Sequence, residues 1–231
     1  MENIELKFLD KVFKLTLRDE ADVSVMREIF KLREYRLAEE TIKSAKDPII
    51  DVGAHAGFFS LYASAFNSNV KIFALEPEPK NFDILEKHLK NNKIKNVLPL
   101  AVALSSKSGK QKLHLSKDSH NHYLSSGEAV EETIMVPTQD LTNFCEKNKI
   151  KNISLLKLDI EGGEYDIFRS LSTENYDIIK SVVMEYHNYD KNNHTEIVQL
   201  LREHGFTVQT FPSKFDKKLG FIFARNKRNN N

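Results

Sequence analysis

The chain has 231 residues, of which 40% are hydrophobic, so it is long enough to bury a substantial core as one domain of ordinary size. Its 34 basic and 33 acidic residues give a net charge of +1, which excludes the strongly basic balance typical of nucleic-acid-binding domains. Cys145 is the one cysteine, so no disulfide can form within the chain.

The first residues lack the basic start and apolar run of a secretory signal peptide. No apolar stretch is long enough to span a bilayer. Together with the single cysteine, these patterns indicate a reducing compartment, and we expect the protein to be cytoplasmic.

Residues 1–46 are expected to form a hairpin and a helix that pack on the core. Alternating apolar residues over 4–18 predict the hairpin. From Asp22 to Ala45, apolar residues recur at helical spacing, which predicts a continuous helix capped by Asp22 or Ser24.

From residue 48 onward, apolar strand-like runs alternate with helical patterns, which is typical of a parallel sheet covered by helices on both faces. A polar excursion with two short strand-like segments, 111–115 and 133–136, interrupts this alternation after the third strand. This α/β domain is expected to cover 47–225, and the polar residues 226–231 to form a disordered tail. The predicted strands are 49–52, 70–75, 97–101, 154–159, 181–186, 206–210 and 220–224, and the predicted helices are 58–66, 79–91, 141–147, 164–171 and 193–204.

The loop after the first of these strands carries two glycines, Gly53 and Gly57, directly before an apolar helix. Glycine lets the backbone turn tightly and lets a ligand approach the main chain, while the free N–H groups of the helix start favour polar ligands. Glu76 ends the next strand, 23 positions after Gly53. That is near the roughly 20-residue spacing of an acid that binds a ribose. The pattern indicates a nucleoside-cofactor site.

Two details favour S-adenosylmethionine over a dinucleotide. A dinucleotide fingerprint needs three glycines around a pyrophosphate, but His55 replaces the middle one, and Phe59 and Ser60 stand where the last belongs. Asp51, two positions before Gly53, could accept a hydrogen bond from an amine but would repel a phosphate. S-adenosylmethionine carries an amine and a sulfonium and no phosphate, so it matches both details.

A second polar centre follows the fourth predicted strand, where Lys157 and Asp159 project to the same face. Strand ends of open α/β sheets border the binding crevice, so these groups should reach an acceptor. Removal of a hydroxyl proton needs a carboxylate or an imidazole, and the catalytic candidates are Asp159, Glu161, Glu185 and His187. The alternative for the first two is capping of a helix N-terminus, and for His187 it is a position on the rim without a role.

Two groups of residues in the sequence have side chains that could bind a metal ion. The four catalytic candidates have donor atoms that suit Mg²⁺, and the excursion carries transition-metal ligand types at His114, Asp118, His120 and His122. Because histidines in polar loops more often face solvent or substrate, we predict no metal at either place.

Three blocks carry a resemblance to a known family: Asp51 to Ser60, Ala74 to Pro79 and Leu156 to Glu164. Together with Val136 to Leu141, they resemble the FkbM family of class I S-adenosylmethionine-dependent methyltransferases over about residues 30–224. The resemblance implies a Rossmann-like sheet of seven strands, with helices on both faces and an antiparallel last strand. It also implies O-methylation, most often of a sugar hydroxyl in a glycan, a glycolipid or a glycosylated metabolite.

The resemblance also assigns roles to individual residues. The loop with Gly53, His55 and Gly57 should line the methionine portion of the cofactor, with Asp51 near its amine. Glu76 should bind the ribose hydroxyls, and Phe58 or Phe59 could face the sulfonium, with a place in the core as the alternative for both. His55 could instead be a loop histidine bonded to backbone. The expected cofactor-binding residues are Asp51, Gly53, His55, Gly57, Phe58, Ser60, Glu76, Ala101, Val102 and Asp159.

Two alternatives to sugar O-methylation remain open. One is an RNA methyltransferase that uses the basic run Lys87, Lys90, Lys93 and Lys95, although such a run is more often a solvated face. The other is a non-catalytic binding module that keeps the fold. The expected partners are a small-molecule or glycan acceptor and, as an alternative to a monomer, a homodimer. No nucleic acid and no membrane span are expected.

Overall fold

A computed structural model of the protein describes residues 1–115, 123–124, 133–188, 192–214, 216 and 218–229. The strands are β1 (Glu2–Phe8), β2 (Lys11–Leu17), β3 (Ile49–Val52), β4 (Ile72–Leu75), β5 (Val97–Leu100), β6 (Ala103–Leu104), β7 (Gly109–His114), β8 (Tyr123–Leu124), β9 (Thr133–Gln139), β10 (Leu155–Leu158), β11 (Ser181–His187), β12 (Phe206–Pro212) and β13 (Leu219–Asn226). The helices are α1 (Glu20–Arg27), α2 (Glu39–Ser44), α3 (Phe58–Phe66), α4 (Pro79–Asn91), α5 (Leu141–Asn148), α6 (Glu164–Ser170), α7 (Thr173–Ile178) and α8 (His194–Glu203).

The central sheet has seven strands in the order β12-β13-β11-β10-β3-β4-β5, and β13 is antiparallel to both of its neighbours. Strands β3, β4 and β10 are buried along their whole length, as expected for parallel strands with helices on both faces. The predicted α/β fold with its antiparallel last strand is therefore confirmed. Each predicted strand of this sheet lies within two residues of the observed bounds.

The N-terminal helix predicted from Asp22 to Ala45 is wrong as a continuous element. The helix α1 passes into a π-helical turn (Glu28–Leu32), and Arg33 then adopts a left-handed conformation with φ 54°. A 3-10 helix (Glu34–Ala38) and α2 follow, and the N-cap of α1 is Asp19, whose side chain accepts from the Asp22 N–H. Tertiary contacts override the local helical pattern here, because the break lets Tyr35 enter the core with 3% exposure.

The polar excursion forms a second sheet of four strands, in the order β6-β9-β7-β8. Both strand-like segments predicted there are present, and each is longer than expected. In chain order, this small sheet comes after β5 and before β10 of the main sheet. Asp118, His120 and His122 lie outside the described residues.

The predicted hairpin is confirmed, with β1 and β2 paired from Glu2–Leu17 to Phe8–Lys11. It packs on the main domain through His88 of α4, whose Nε2 accepts from the Thr16 N–H (2.8 Å). The His88 Nδ1 contacts the Ala56 carbonyl oxygen (2.7 Å), so this buried ring links the hairpin to the loop before α3.

An ion pair between the half-buried Arg18 and the buried Asp22 fixes α1 beside the same loop. Arg18 donates to both carboxylate oxygens of Asp22 (2.8 to 2.9 Å), and Asp22 is fully buried. Arg18 also donates to the Nε2 of His55 (2.9 Å) and to the Oδ1 of Asn81 (2.6 Å). The N-terminal segment is thus joined by charged contacts to the glycine loop and to α4. The division of the chain at residues 46 and 47 stays a proposal.

Part of the tail that we expected to be disordered is described. Asn226 ends β13, and its buried amide donates to the Tyr176 and Ile179 carbonyl oxygens. A short 3-10 turn (Lys227–Asn229) follows. These hydrogen bonds explain why a polar residue near the end of the chain is ordered. Within the described residues, no helix is long and apolar enough to cross a membrane.

The Arg18–Asp22 pair predicts a large loss of stability for Asp22→Ala. Removing one partner of a buried ion pair leaves the other uncompensated, so the free energy of unfolding should fall by about 3 kcal/mol in urea titrations. Asp19→Ala is the matched control, since it removes only the cap of α1 and should cost about 1 kcal/mol. Equal unfolding midpoints for Asp22→Ala and the parent would contradict this anchoring.

Candidate active site

The carboxyl ends of β3, β4 and β10 border a cavity of about 660 Å³. This volume lies within the roughly 300–1,000 Å³ of small-molecule sites. Three parts of the chain line it: the N-terminal segment, the loops that follow these strands, and the small sheet. Of the N-terminal residues, Tyr35 packs edge-on against Phe59 (4.9 Å) and Phe221 (5.7 Å) at the cavity wall.

Both glycines of the first loop have left-handed backbones, with φ 73° at Gly53 and 83° at Gly57. A β-carbon at Gly53 would lie 2.0 Å from the carbonyl oxygen of Asp159, and one at Gly57 would lie 2.3 Å from a Leu85 methyl group. Protein atoms therefore fill the space beside both glycines. Gly53 packs the loop against the end of β10, and Gly57 packs the start of α3 against α4.

A buried lysine anchors the glycine loop after β3. Lys157, which is 3% exposed, forms an ion pair with Asp51 on the adjacent strand (Nζ to Oδ1, 3.1 Å). It also donates to the carbonyl oxygen of Gly53 (2.9 Å). Burial lowers the pKa of Lys157, but the carboxylates of Asp51 and Asp159 outweigh burial and raise it above its usual value. The second oxygen of Asp51 accepts from Ser60 Oγ (2.7 Å).

The acid expected to bind a ribose lines the cavity and also shapes the loop. Glu76 accepts from the backbone N–H of His55 (2.7 Å) and from that of Glu78 (2.9 Å). Burial raises the pKa of Glu76 to about 7, although these two N–H groups act in the opposite direction. The carboxylate thus couples the glycine loop after β3 to the start of α4.

A group of acids and one histidine lies at the ends of β10 and β11. His187 is buried between two carboxylates, with its Nε2 3.4 Å from Glu161 and its Nδ1 3.4 Å from Glu164. Burial lowers the pKa of His187, but these two acids outweigh it and raise the pKa to about 10. At neutral pH the ring is an imidazolium that occupies the space between the acids, so it is poorly suited to act as a base.

Burial changes the proton affinity of the acids in this group. It raises the pKa of Glu161 to about 7 and that of Glu185 well above its usual range, with Asp159 adding repulsion in both cases. Glu34, from the N-terminal 3-10 helix, has a pKa raised to about 7 by burial and by the nearby Glu28 and Asp159. Glu161 also has a left-handed backbone (φ 54°), a strained conformation common at functional sites.

Donor atoms of Asp159, Glu161 and His187 lie within 4.8 Å of one another. A metal ion there would compete with the contacts that His187 makes with Glu161 and Glu164. The expectation that no metal binds here stays a prediction. In the small sheet, His114 is buried rather than exposed in a loop.

Five of the expected site residues line the cavity: Gly53, His55, Phe58, Glu76 and Asp159. The others lie behind it or beside it. Asp51 pairs with Lys157 and accepts a hydrogen bond from Ser60, and its expected place near an amine stays a prediction. The segment after β5 contributes Ala103 and Leu104 to the lining instead of the expected Ala101 and Val102. Gly57, Glu161, Glu185 and His187 are also outside the lining.

Sequence reasoning missed two sets of lining residues. One comes from the N-terminal segment, where Val25 and Ile29 were expected in a helix that packs on the core and Tyr35 had no assigned role. The helix breaks at Arg33 without a glycine or a proline nearby to mark the break, so the sequence could not show that these N-terminal residues reach the cavity. The other set comes from the small sheet and includes Lys110 and Lys112, whose spacing of two on a strand was a readable signal.

Comparison with known proteins identifies the family of the chain. The family model of the methyltransferase FkbM domain matches residues 51–208. The 31-O-demethyl-FK506 methyltransferase FkbM of Streptomyces tacrolimicus is 26% identical over 212 residues, covering 79% of this chain and 80% of that protein. The hexuronic acid methyltransferase AglP of Haloferax volcanii is 25% identical over 205 residues, covering 80% of this chain and 82% of that protein.

In fold, the chain is similar to the SAM-dependent methyltransferase of Agrobacterium tumefaciens, with a TM-score of 0.51 at 9% identity, covering 97% of this chain and 70% of that structure. The chain belongs to the FkbM methyltransferase family, and it is an S-adenosylmethionine-dependent methyltransferase. The site fits this cofactor, because the buried Glu76 lines the cavity beside a glycine loop that carries no phosphate-binding cation.

The position of Glu76 predicts a loss of cofactor affinity in Glu76→Gln. Binding of S-adenosylhomocysteine, measured by calorimetry, should be less favourable by about 1–3 kcal/mol, because the hydrogen bonds to the ribose are lost or weakened. Since the ionised carboxylate accepts more strongly, affinity of the parent should rise as pH increases through about 7. Glu86→Gln, on the exposed face of α4, is the control. Unchanged affinity in Glu76→Gln, or tight binding of NAD, would refute this role.

The paired imidazolium of His187 predicts that catalysis needs no divalent cation. Turnover should persist in EDTA at the rate seen without chelator, because the acids already face a positive charge within the protein. Complete loss of turnover in EDTA, with recovery on adding Mg²⁺, would make Asp159, Glu161 and His187 ligands and overturn this prediction.

Proposed function

We propose that this FkbM-family methyltransferase transfers the methyl group to a hydroxyl, and that the acceptor is a sugar in a glycan, a glycolipid or a glycosylated metabolite. The observation that carries the proposal is the position of Asp159. It follows the strand β10, it lines the cavity, and its side chain is 32% exposed. It is therefore the member of the acid group best placed to meet an acceptor.

Transfer to a hydroxyl requires positioning and a route for the hydroxyl proton. When bound, S-adenosylmethionine supplies an electrophilic methyl group. Asp159 accepts the proton of the acceptor hydroxyl, and its backbone is fixed by the N–H that donates to the Val52 carbonyl oxygen (3.2 Å). The carboxylate of Asp159 also lies 4.0 Å from the Nζ of Lys157, whose charge helps to orient it.

The acids behind Asp159 provide a place for this proton to go. Burial raises the pKa of Glu161 to about 7, so this group can gain or lose a proton near neutral pH. Glu161 and Asp159 are close enough to exchange a proton through one bridging water, because their oxygens lie within 4.8 Å. His187 keeps Glu161 in place and stabilises its charge, so we assign it a positioning role.

Two further considerations support a sugar acceptor. The curated relatives include a hexuronic acid methyltransferase, which acts on a sugar acid. The cavity lining also contains hydroxyl and amide groups, at Ser105, Ser106 and Gln111, that suit a polyhydroxylated ligand. We place the reaction in the cytoplasm as part of this proposal, in keeping with the free thiol of Cys145.

The RNA alternative has weaker support. Of its basic run, Lys93 and Lys95 line a separate depression beside the hairpin, together with Lys11. None of the four lysines of this run is among the residues that line the main cavity. An RNA backbone bound at these lysines would therefore not run along the cavity wall that carries Asp159.

The assignment of Asp159 predicts a separation of turnover from binding. Asp159→Asn should lower kcat by roughly 10²–10⁴-fold, the usual effect of removing a general base. The affinity for S-adenosylhomocysteine should change little, because the carboxylate meets the acceptor. Asp83→Asn, on the exposed surface of α4, is the matched control and should behave like the parent. If Asp159→Asn methylates the acceptor at the parental rate, the proton leaves by another route and this map fails.

A further inference from the structure

One wall of the cavity carries three lysines that the proposed reaction does not use. Lys107 precedes β7, and Lys110 and Lys112 lie on it; all three are exposed and line the cavity. Lys110 and Lys112 are two residues apart on a strand, so they project to the same face about 7 Å apart. They form what we call the lysine wall.

These lysines differ from the other cations near the site. Arg18 is paired with Asp22, and Lys157 is paired with Asp51. Within the part of the chain that the structure describes, the recorded ion pairs do not include any residue of the lysine wall. The one anionic group of S-adenosylmethionine is the carboxylate of its methionine portion, which we expect at the glycine loop after β3, so this cofactor leaves the charges of the lysine wall available to another ligand.

The surface around the lysine wall suits a sugar. Ser105 and Gln111 hydrogen-bond each other (3.0 Å) and also line the cavity, although Gln111 projects from the opposite face of β7 to Lys110 and Lys112. Met135 is 59% exposed although it lies directly opposite Lys112 on the neighbouring strand, so an apolar surface adjoins the charges. Hydroxyl groups of a sugar could bind Ser105 and Gln111, and the apolar face of a sugar ring could pack on Met135.

The charges of the cavity are separated by sign. Asp159 and Asp166 line it, and the partly buried Glu161 and Glu185 lie behind Asp159, whereas the lysine wall belongs to the small sheet. A negative group on an acceptor would be repelled from the acids and attracted to the lysines. Such charge complementarity fixes orientation and excludes wrong partners.

We propose that the lysine wall binds an anionic group of the acceptor, a carboxylate or a phosphate, while the reacting hydroxyl faces Asp159. This inference rests on the proposed function and narrows its substrate to anionic sugars. The lysines contribute to acceptor binding and orientation and take no part in the proton transfer.

Binding can be measured without turnover by calorimetry on the protein saturated with S-adenosylhomocysteine. The probes are p-nitrophenyl β-D-glucuronide and its neutral match p-nitrophenyl β-D-glucoside, which differ in the carboxylate, and glucose 6-phosphate. Both anionic sugars, or one of them, should bind at least tenfold more tightly than the glucoside. Preference for the glucuronide alone identifies a carboxylate, and preference for glucose 6-phosphate alone identifies a phosphate.

The double variant Lys110→Gln/Lys112→Gln should weaken binding of the preferred anion by about tenfold and leave the glucoside unchanged, since two exposed charge contacts with the anion are lost. Its affinity for S-adenosylhomocysteine should equal that of the parent. Lys90→Gln/Lys93→Gln, on α4 and after it, is the matched control for net charge.

Equal binding of the glucoside and both anions, binding of none of the three, or an equal loss in the control variant would overturn the proposal. Each of these outcomes leaves O-methylation intact, because that proposal is tested by the kcat of Asp159→Asn. Loss of cofactor affinity in the lysine variant would instead assign the wall to the cofactor, and it too would overturn the proposal.

Discussion

The buried ion pair between Lys157 and Asp51 is the contact on which the site depends. The two residues are direct neighbours in the parallel register of β10 and β3, and both are almost fully buried. A buried pair repays the cost of desolvation only when its remaining hydrogen-bonding groups are satisfied. Lys157 meets this condition by donating to the Gly53 carbonyl oxygen, and Asp51 meets it by accepting from Ser60. The glycine loop, the start of α3 and the end of β10 are thereby held together.

From this pair the charges of the site extend in two directions. Toward the cofactor, the loop reaches Glu76, and Glu76 accepts from the His55 N–H. Toward the acceptor, Asp159 follows Lys157 on the strand, and an acid group neutralised in part by His187 lies behind it. The N-terminal segment completes both sides, because Arg18 contacts His55 and Tyr35 forms part of the cavity wall.

The sequence predicted the central sheet well because its strands are buried on both faces and read as apolar runs between turn residues. The positions of Gly53, Glu76 and Asp159 at the cavity followed from the same pattern, since strand ends meet at one edge of a parallel sheet. The role of Asp51 could not be predicted, because its partner Lys157 is distant in sequence and becomes adjacent only through strand register. The break in the N-terminal helix was missed because a left-handed Arg33 is selected by tertiary packing and leaves no local signal.

The central claim is that the glycine loop and Glu76 hold the cofactor so that its reacting end faces Asp159. A crystal structure of the protein with S-adenosylhomocysteine tests this directly. The account predicts ribose hydroxyls at about 2.6–3.0 Å from the Glu76 carboxylate and a sulfur atom that faces the carboxylate of Asp159 across the cavity. A ribose bound away from Glu76, or a sulfur atom directed away from Asp159, would contradict it.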